Sequence, residues 1–191
     1  MSGICEGRVV VVTGGGRGLG RAHALEFARQ GASVVVNDLG SEVDGSGAAV
    51  GPAAEVVAEI ETMGGRAVAD GSDIADWDGA ATLIQRAIDT YGQVDTLVNN
   101  AGILRDRMLT NMSVEEWDSV IRVHLRGTFA PTHWAASHWR ERAKAGEAND
   151  ARVINTSSAS GLYGNFGQSN YGAAKAGIAA FTLIAAKELV R

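Results

Sequence analysis

Five consecutive β-branched residues, 9–13, run directly into a stretch with five glycines in seven positions, 14–20. An apolar run without polar alternation is buried on both faces, as only the inner strands of a parallel sheet are. Glycines placed immediately after it let the chain turn sharply and bring backbone close to whatever lies at the strand's carboxyl end. The remainder repeats this alternation. Short apolar runs at 33–38, 66–69, 94–99 and 152–156 are separated by segments of helical period at 19–30, 53–63, 76–91, 113–142 and 169–190. Strands alternating with helices in this way build a parallel sheet with crossover helices on both faces. The predicted fold is therefore a doubly wound α/β domain, Rossmann-like in its connections.

Local signals punctuate the map. Gly31 and the pair Gly64 and Gly65 stop two helices, and Ser113 with Glu116 forms a capping box that opens the long helix. Pro131 is expected to kink or break that helix. Segment 40–51 reads as a glycine-rich loop and 144–150 as a polar connector. An open sheet of this kind continues beyond five strands. The expectation is one domain over 1–191 whose last strands and substrate lid lie beyond Arg191.

Composition narrows the function. With 17 basic and 22 acidic residues the net charge is −5, and no basic block is present, which argues against nucleic acid as the main partner. The single cysteine, Cys5, excludes an intrachain disulfide and a cysteine-cluster metal site. His23, His133 and His138 lack metal-ligand spacing, so no metal is expected. No window offers the ~20 apolar residues of a membrane span, so no membrane partner is expected. Residues 1–7 lack both the basic start and the apolar core of a signal peptide, and a cytoplasmic location is the expectation.

The glycine stretch reads Thr13-Gly-Gly-Gly-Arg-Gly-Leu-Gly20, a T-G-x-x-x-G-x-G spacing between a strand and a helix. Its position suits a dinucleotide. Gly14, Arg17, Gly18, Leu19 and Gly20 would surround the pyrophosphate at a helix N-terminus that offers free N–H groups and partial positive charge. By itself, a glycine cluster is equally a plain turn. Asp38 ends the second strand, 18 residues after Gly20. A carboxylate there accepts ribose hydroxyls and repels a 2′-phosphate, which predicts NAD rather than NADP; a turn aspartate beside Gly40 is the structural alternative. Asp73 and Ile74 follow the third strand and would clamp adenine, or simply enter the next helix. Asn99-Asn100-Ala101-Gly102 closes the fourth strand, where Asn100, Ala101 and Gly102 would pass beneath the cofactor ribose, or form only a turn.

Tyr171 and Lys175 are four residues apart in the last segment of helical period and share one face of it. An ammonium beside a phenol favours the phenolate, so Tyr171 is the candidate base for an alcohol proton. Ser158, 13 residues earlier, would hydrogen-bond the same substrate oxygen. Lys175 would also clamp the cofactor ribose beside Tyr171.

With these residues in place, the chain resembles the short-chain dehydrogenase/reductase family over nearly its whole length. The resemblance implies pyrophosphate contacts at Gly14, Gly18 and Gly20, a structural cofactor turn at 99–102, and catalysis by Ser158, Tyr171 and Lys175. The family usually carries an asparagine in an N-L-x-G motif of the long helix, linked to a proton-relay water. Here Val123-His124-Leu125-Arg126-Gly127 puts His124 at that place. A bridging role for its ring or carbonyl and a packing role both remain open. Segments 36–40, 100–107, 122–127, 157–161 and 164–168 are similar to the (3R)-hydroxyacyl-CoA dehydrogenase domain of multifunctional β-oxidation enzymes, a branch that shares His124 and includes proteins described as 17β-hydroxysteroid dehydrogenases.

That similarity implies an acyl-CoA substrate, oxidised from 3-hydroxyacyl to 3-oxoacyl thioester with NAD. An NADP-linked 3-oxoacyl reductase, a hydroxysteroid dehydrogenase and a non-catalytic NAD-sensing module are the alternatives. It also implies a homodimer or homotetramer through the long helix and the last one, where Phe129, Trp134 and Trp139 form an aromatic stripe. Arg105, Asp106 and Arg107 read as surface ion pairs rather than as contacts to a substrate phosphate. The related eukaryotic enzymes are peroxisomal.

Overall fold

The computed structural model describes residues 3–40 and 51–190, so most of the glycine-rich loop expected at 40–51 lies outside the described residues. Five strands, β1 (Val9–Thr13), β2 (Ser33–Asn37), β3 (Arg66–Asp70), β4 (Thr96–Asn99) and β5 (Arg152–Asn155), form one sheet in the order β3-β2-β1-β4-β5. Every neighbouring pair is parallel. Seven α-helices are described: α1 (Gly18–Arg29), α2 (Gly51–Thr62), α3 (Trp77–Tyr91), α4 (Val114–Ile121), α5 (Gly127–Lys144), α6 (Ala159–Tyr163) and α7 (Ser169–Glu188).

The valine run of β1 explains the layers. Every residue of β1 is buried, and successive side chains point to opposite faces. Val10 and Val12 pack with Ala24, Leu25, Val56 and Ile60 from α1 and α2. Val9 and Val11 pack on the other side with Leu83, Ile84 and Trp139 from α3 and α5. Neither face of β1 meets water, so polar alternation is absent from its sequence. At the sheet's margin β5 is different: Arg152 and Ile154 are exposed.

Strand β1 is central, with β2 and β3 laid to one side and β4 and β5 to the other. The chain reverses its direction of growth between β1 and β4. In open α/β sheets that switch leaves a crevice at the carboxyl ends of the two strands, where ligands bind. The segments following β1 and β4 are the glycine stretch and the Asn-Asn-Ala-Gly turn.

Element boundaries follow the sequence expectation to within two residues, with one exception. The segment expected as one helix over 113–142 is split. The capping box forms: Ser113 Oγ accepts the Glu116 N–H at 3.1 Å, and Glu116 accepts the Ser113 N–H at 2.9 Å. The interruption falls at a π-helical turn, Arg122–Arg126, and not at Pro131, through which α5 runs unbroken. Proline costs one helical hydrogen bond, and burial of its ring inside α5 offsets that cost. The π turn inserts an extra residue and carries His124 into the interior, where it is 3% exposed. Two short elements were not evident in the sequence, the 3-10 turn Leu109–Asn111 and α6.

Trp139 belongs to the core and not to an aromatic stripe on a free face. Its indole is 8% exposed and donates Nε1–H to the Val94 carbonyl at 2.7 Å. Phe129 and Trp134 instead cluster with Trp77 and His133, and Phe129 meets Phe181 of α7 edge to face. Among the described residues no helix is long and apolar enough to cross a membrane.

Trp139→Phe keeps most of the ring volume but strands the Val94 carbonyl. The expected loss is about 1–3 kcal/mol of folding stability, read as a lower midpoint in denaturant titration; an unchanged midpoint would show that solvent reaches that carbonyl.

Candidate active site

The crevice is closed at its base by hydrogen bonds between the segments after β1 and β4. Thr13 Oγ1 accepts the N–H groups of Asn100 and Ala101 at 3.1 and 3.2 Å, and donates to the Val98 carbonyl at 3.3 Å. Asn100 Nδ2 reaches back to donate to the carbonyls of Thr13 and Gly14, both at 3.1 Å. A Cβ on Gly20 would lie 1.9 Å from the Gly14 carbonyl oxygen and 2.5 Å from Asn100 Nδ2, so the loop folds back over α1 only because position 20 has no side chain. Asn100 thus holds the loop itself, beyond any contact with a ligand.

The N-terminus of α1 differs from those of α3 and α4. Asp76 and Ser113 cap the latter two with their side chains. Among the described residues no side-chain bond from the N-cap position Arg17 caps α1, and its first turn carries no acidic residue. Leu19 in that turn is 68% exposed. Free amide donors on an uncapped first turn, with backbone accessible beside them, make a place for an anion.

Asp38 immediately follows β2. Its carboxylate accepts the Gly16 N–H at 2.8 Å and the Gly40 N–H at 2.7 Å, one oxygen each, which anchors it beside the glycine loop. Asp73 accepts the Ala75 N–H at 2.9 Å and pairs with Arg122 at 2.7 Å. Burial pushes the Asp73 carboxyl up, yet the Arg122 guanidinium and the Ala75 amide together hold it below the usual value. The Ile74 side chain is buried against Gly127, so of this residue only the backbone is placed to face a ligand.

Ser158 leaves β5 in extended conformation and caps α6, its Oγ accepting the Ser160 N–H at 3.2 Å. Helix α6 packs tightly on α7. A Cβ on Gly161 would lie 2.6 Å from the Ala176 nitrogen and 2.9 Å from Lys175 Cβ. That contact brings the Ser158 segment to the turn of α7 that carries Tyr171 and Lys175. Lys175 is 3% exposed; its Nζ donates to the Thr156 carbonyl at 2.6 Å and lies 5.5 Å from the centre of the Tyr171 ring. Burial pulls the Lys175 ammonium down from 10.5 to about 8, so at neutral pH it is still largely charged. Tyr171 and Lys175 thus lie together, a buried cation beside the phenol, and the helix that Ser158 caps packs against the helix that carries them.

His124 connects this group to the cofactor turn. Its ring stands edge-on to Tyr171, centroids 5.1 Å apart at 88°. Its Nε2 lies 2.8 Å from the Ile103 carbonyl oxygen and 3.2 Å from the Ile103 nitrogen, so it donates to the carbonyl in one neutral tautomer and accepts the Ile103 N–H in the other. A Cβ on Gly102 would fall 2.3 Å from His124 Cε1, so the glycine and the histidine require each other. Nδ1 is buried without a hydrogen-bond partner among the described residues. Burial, opposed by the Ile103 contact, lowers the His124 pKa from 6.5 to about 4. Sequence reasoning missed Thr13 and Thr156 as parts of this site. Each is the polar residue at the end of an apolar run, the one signal that marked them.

The sequence pattern of the short chain dehydrogenase family matches residues 8–191, and the chain belongs to that family. Within it, the chain is 52% identical over 188 residues to hydroxyacyl-CoA dehydrogenase ChsB1 of Mycobacterium tuberculosis, covering 97% of this chain and 58% of the relative. It is 51% identical over 173 residues to peroxisomal multifunctional enzyme type 2 of Mus musculus, covering 91% of this chain and 22% of that enzyme. A crystal structure of a short chain dehydrogenase from Mycobacterium avium superposes with a TM-score of 0.93 at 61% identity, over 98% of this chain and 64% of that one. The chain thus spans about a fifth to two thirds of the length of these proteins.

The His124 shift gives folding a pH dependence of known sign. The native ring stays neutral down to about pH 4, whereas an unfolded histidine takes up a proton below 6.5. Between those values the unfolded chain binds more protons, so stability falls as pH falls, by up to about 3 kcal/mol from this one group. Thermal unfolding of the wild type and of His124→Asn, compared from pH 7 to pH 4, is expected to show a steeper loss for the wild type; parallel curves would remove the assignment.

Proposed function

We propose that this chain transfers a hydride between NAD and a secondary alcohol, acting on a (3R)-hydroxyacyl-CoA and its 3-oxoacyl partner. The observation that carries this reading is the buried Lys175 ammonium beside the Tyr171 phenol, with the helix that Ser158 caps packed on the same helix. The name of the mycobacterial relative supports the thioester substrate.

The cofactor's residues follow from the crevice. Gly14, Arg17, Gly18, Leu19 and Gly20 take the pyrophosphate at the uncapped end of α1. Asp38 takes the adenosine ribose hydroxyls, Asp73 and the Ile74 backbone face the adenine, and Asn100, Ala101 and Gly102 form the floor. Tyr171 and Lys175 hold the second ribose. A bound nicotinamide dinucleotide supplies the hydride acceptor. The Asp38 carboxylate favours NAD, because a 2′-phosphate would meet a fixed negative charge.

In the oxidative direction Tyr171 removes the proton from the substrate hydroxyl, and in reverse it returns that proton to the ketone oxygen. Lys175 holds positive charge next to the phenol while it is ionised. Ser158 Oγ already accepts the Ser160 N–H, which leaves its own hydrogen free to donate to the substrate oxygen. His124 keeps the floor of the site and the Tyr171 ring in register.

The wider assembly follows the same reading. The half-exposed Phe129, with Leu183 and Ile184 exposed on α7, supports association of two copies across α5 and α7 as a homodimer or homotetramer. Several relatives are named peroxisomal, so a cytoplasmic location gains no support from them.

NAD reduction by the purified chain, offered the 3R and 3S thioesters separately, tests the reading. Turnover is expected with the 3R isomer and should fall at least ~100-fold in Tyr171→Phe. Turnover of neither isomer would exclude the thioester. Asp38→Ser is expected to narrow the preference for NAD over NADP by ~10-fold or more in binding titrations, since it removes the like charge; an unaltered ratio would relieve Asp38 of that role.

A further inference from the structure

Asn170 stands one residue before Tyr171, and its side chain is wholly buried. It lies in the first turn of α7, whose N-cap residue Gln168 makes no side-chain capping bond to the helix. The Tyr171 N–H belongs to the set of amides that a helix start leaves without intrahelical partners. Asn170 Oδ1 accepts it at 2.7 Å. The Nδ2 of the same carboxamide donates to the carbonyls of Arg105 and Glu116, each at 3.1 Å. One buried amide therefore uses both of its protons and one oxygen to join α7 to the segment after β4 and to the first turn of α4.

Neighbouring contacts reinforce the same junction. The Arg107 N–H donates to the Gly167 carbonyl at 2.7 Å. Gln168 Nε2 donates to Asp106 at 2.8 Å, while Gln168 Oε1 accepts from Ser160 Oγ at 2.8 Å. Segment 105–107 is thus bonded to the chain just before Tyr171, which is bonded in turn to the helix that Ser158 caps.

We propose that Asn170 is the positioning residue for Tyr171: its carboxamide fixes the first turn of α7 and thereby the place of the phenol relative to Ser158 and Lys175. It acts through the Tyr171 backbone and touches no reacting atom. The inference rests on Tyr171 being the base of the proposed reaction.

Asn170→Ala removes all three bonds, whereas Asn170→Asp keeps the oxygen that accepts the Tyr171 N–H and loses the two donations. Hydrogen exchange of the amides in 169–175 and steady-state kinetics with NAD and the 3R thioester, both on the full chain, test the proposal. In Asn170→Ala the Tyr171 amide is expected to exchange ~10-fold faster or more, while amides of β1 and β4 keep wild-type protection. Its kcat should fall about 10- to 100-fold, with the KM for NAD within about twofold. Asn170→Asp should retain protection of the Tyr171 amide while its kcat stays lowered by the loss of both donations, and its exchange pattern serves as the test if the alanine variant does not fold. An unchanged Tyr171 amide, or protection lost equally throughout the sheet, overturns the proposal. If the wild-type chain does not turn over the thioester, the substrate reading fails by itself, and the exchange comparison still decides whether Asn170 holds Tyr171.

Discussion

Two polar side chains, Thr13 and Asn100, hold the carboxyl ends of β1 and β4 together, and the ligand crevice exists only as long as they do. Between them they account for five hydrogen bonds that cross from one segment to the other or back to the strand ends. Everything proposed for the cofactor stands on this junction: the glycine loop takes its curvature from Asn100, and the turn that floors the site takes its height from Thr13. Since Thr13 is entirely buried, these bonds form out of competition with water, where a missing partner costs more than a present one contributes.

The second half of the site is organised around a buried charge. Lys175 lies where an ammonium is expensive to keep, its Nζ donating to the Thr156 carbonyl. With its pKa lowered to about 8 the group is still largely charged at neutral pH, a buried cation beside the Tyr171 ring. His124 works from the opposite direction: the same burial removes its charge and leaves a neutral ring that can pack against Tyr171 and Gly102. One lowered pKa leaves a cation in place and the other abolishes one, which is how adjacent groups acquire separate roles.

Much of the architecture could be read from the residues, for a physical reason. The valines of β1 are buried on both sides, so the strand admits no polar residue and is legible as a strand from one glance at the sequence. The same holds for Ser113 and Glu116, whose capping bonds are local. The convergence of Tyr171 and Lys175 needed only helical spacing. What escaped was decided by contacts distant in sequence. Pro131 was expected to interrupt the long helix because its local cost is known, yet the interruption fell at Arg122–Arg126, where burying His124 against Ile103 outweighs a regular helix. For Trp139 the sequence left core packing and an association face both open, because its partner, the Val94 carbonyl, is 45 residues away. Asn170 gave no signal at all, its three partners being backbone groups with no sequence signature.

The π turn also limits how this chain can change over generations. A single residue removed from Arg122–Arg126 would restore a regular helix, but each residue of α-helix turns the chain by about 100°. All of α5 beyond the deletion would be rotated by that amount, swinging Trp139 away from Val94 and Phe129 away from Phe181. Loss of the irregularity would therefore undo the core behind the sheet and the aromatic packing beside it together, and no gradual series of point substitutions leads out of it. The wide turn is locked in by the eighteen residues of α5 that follow it.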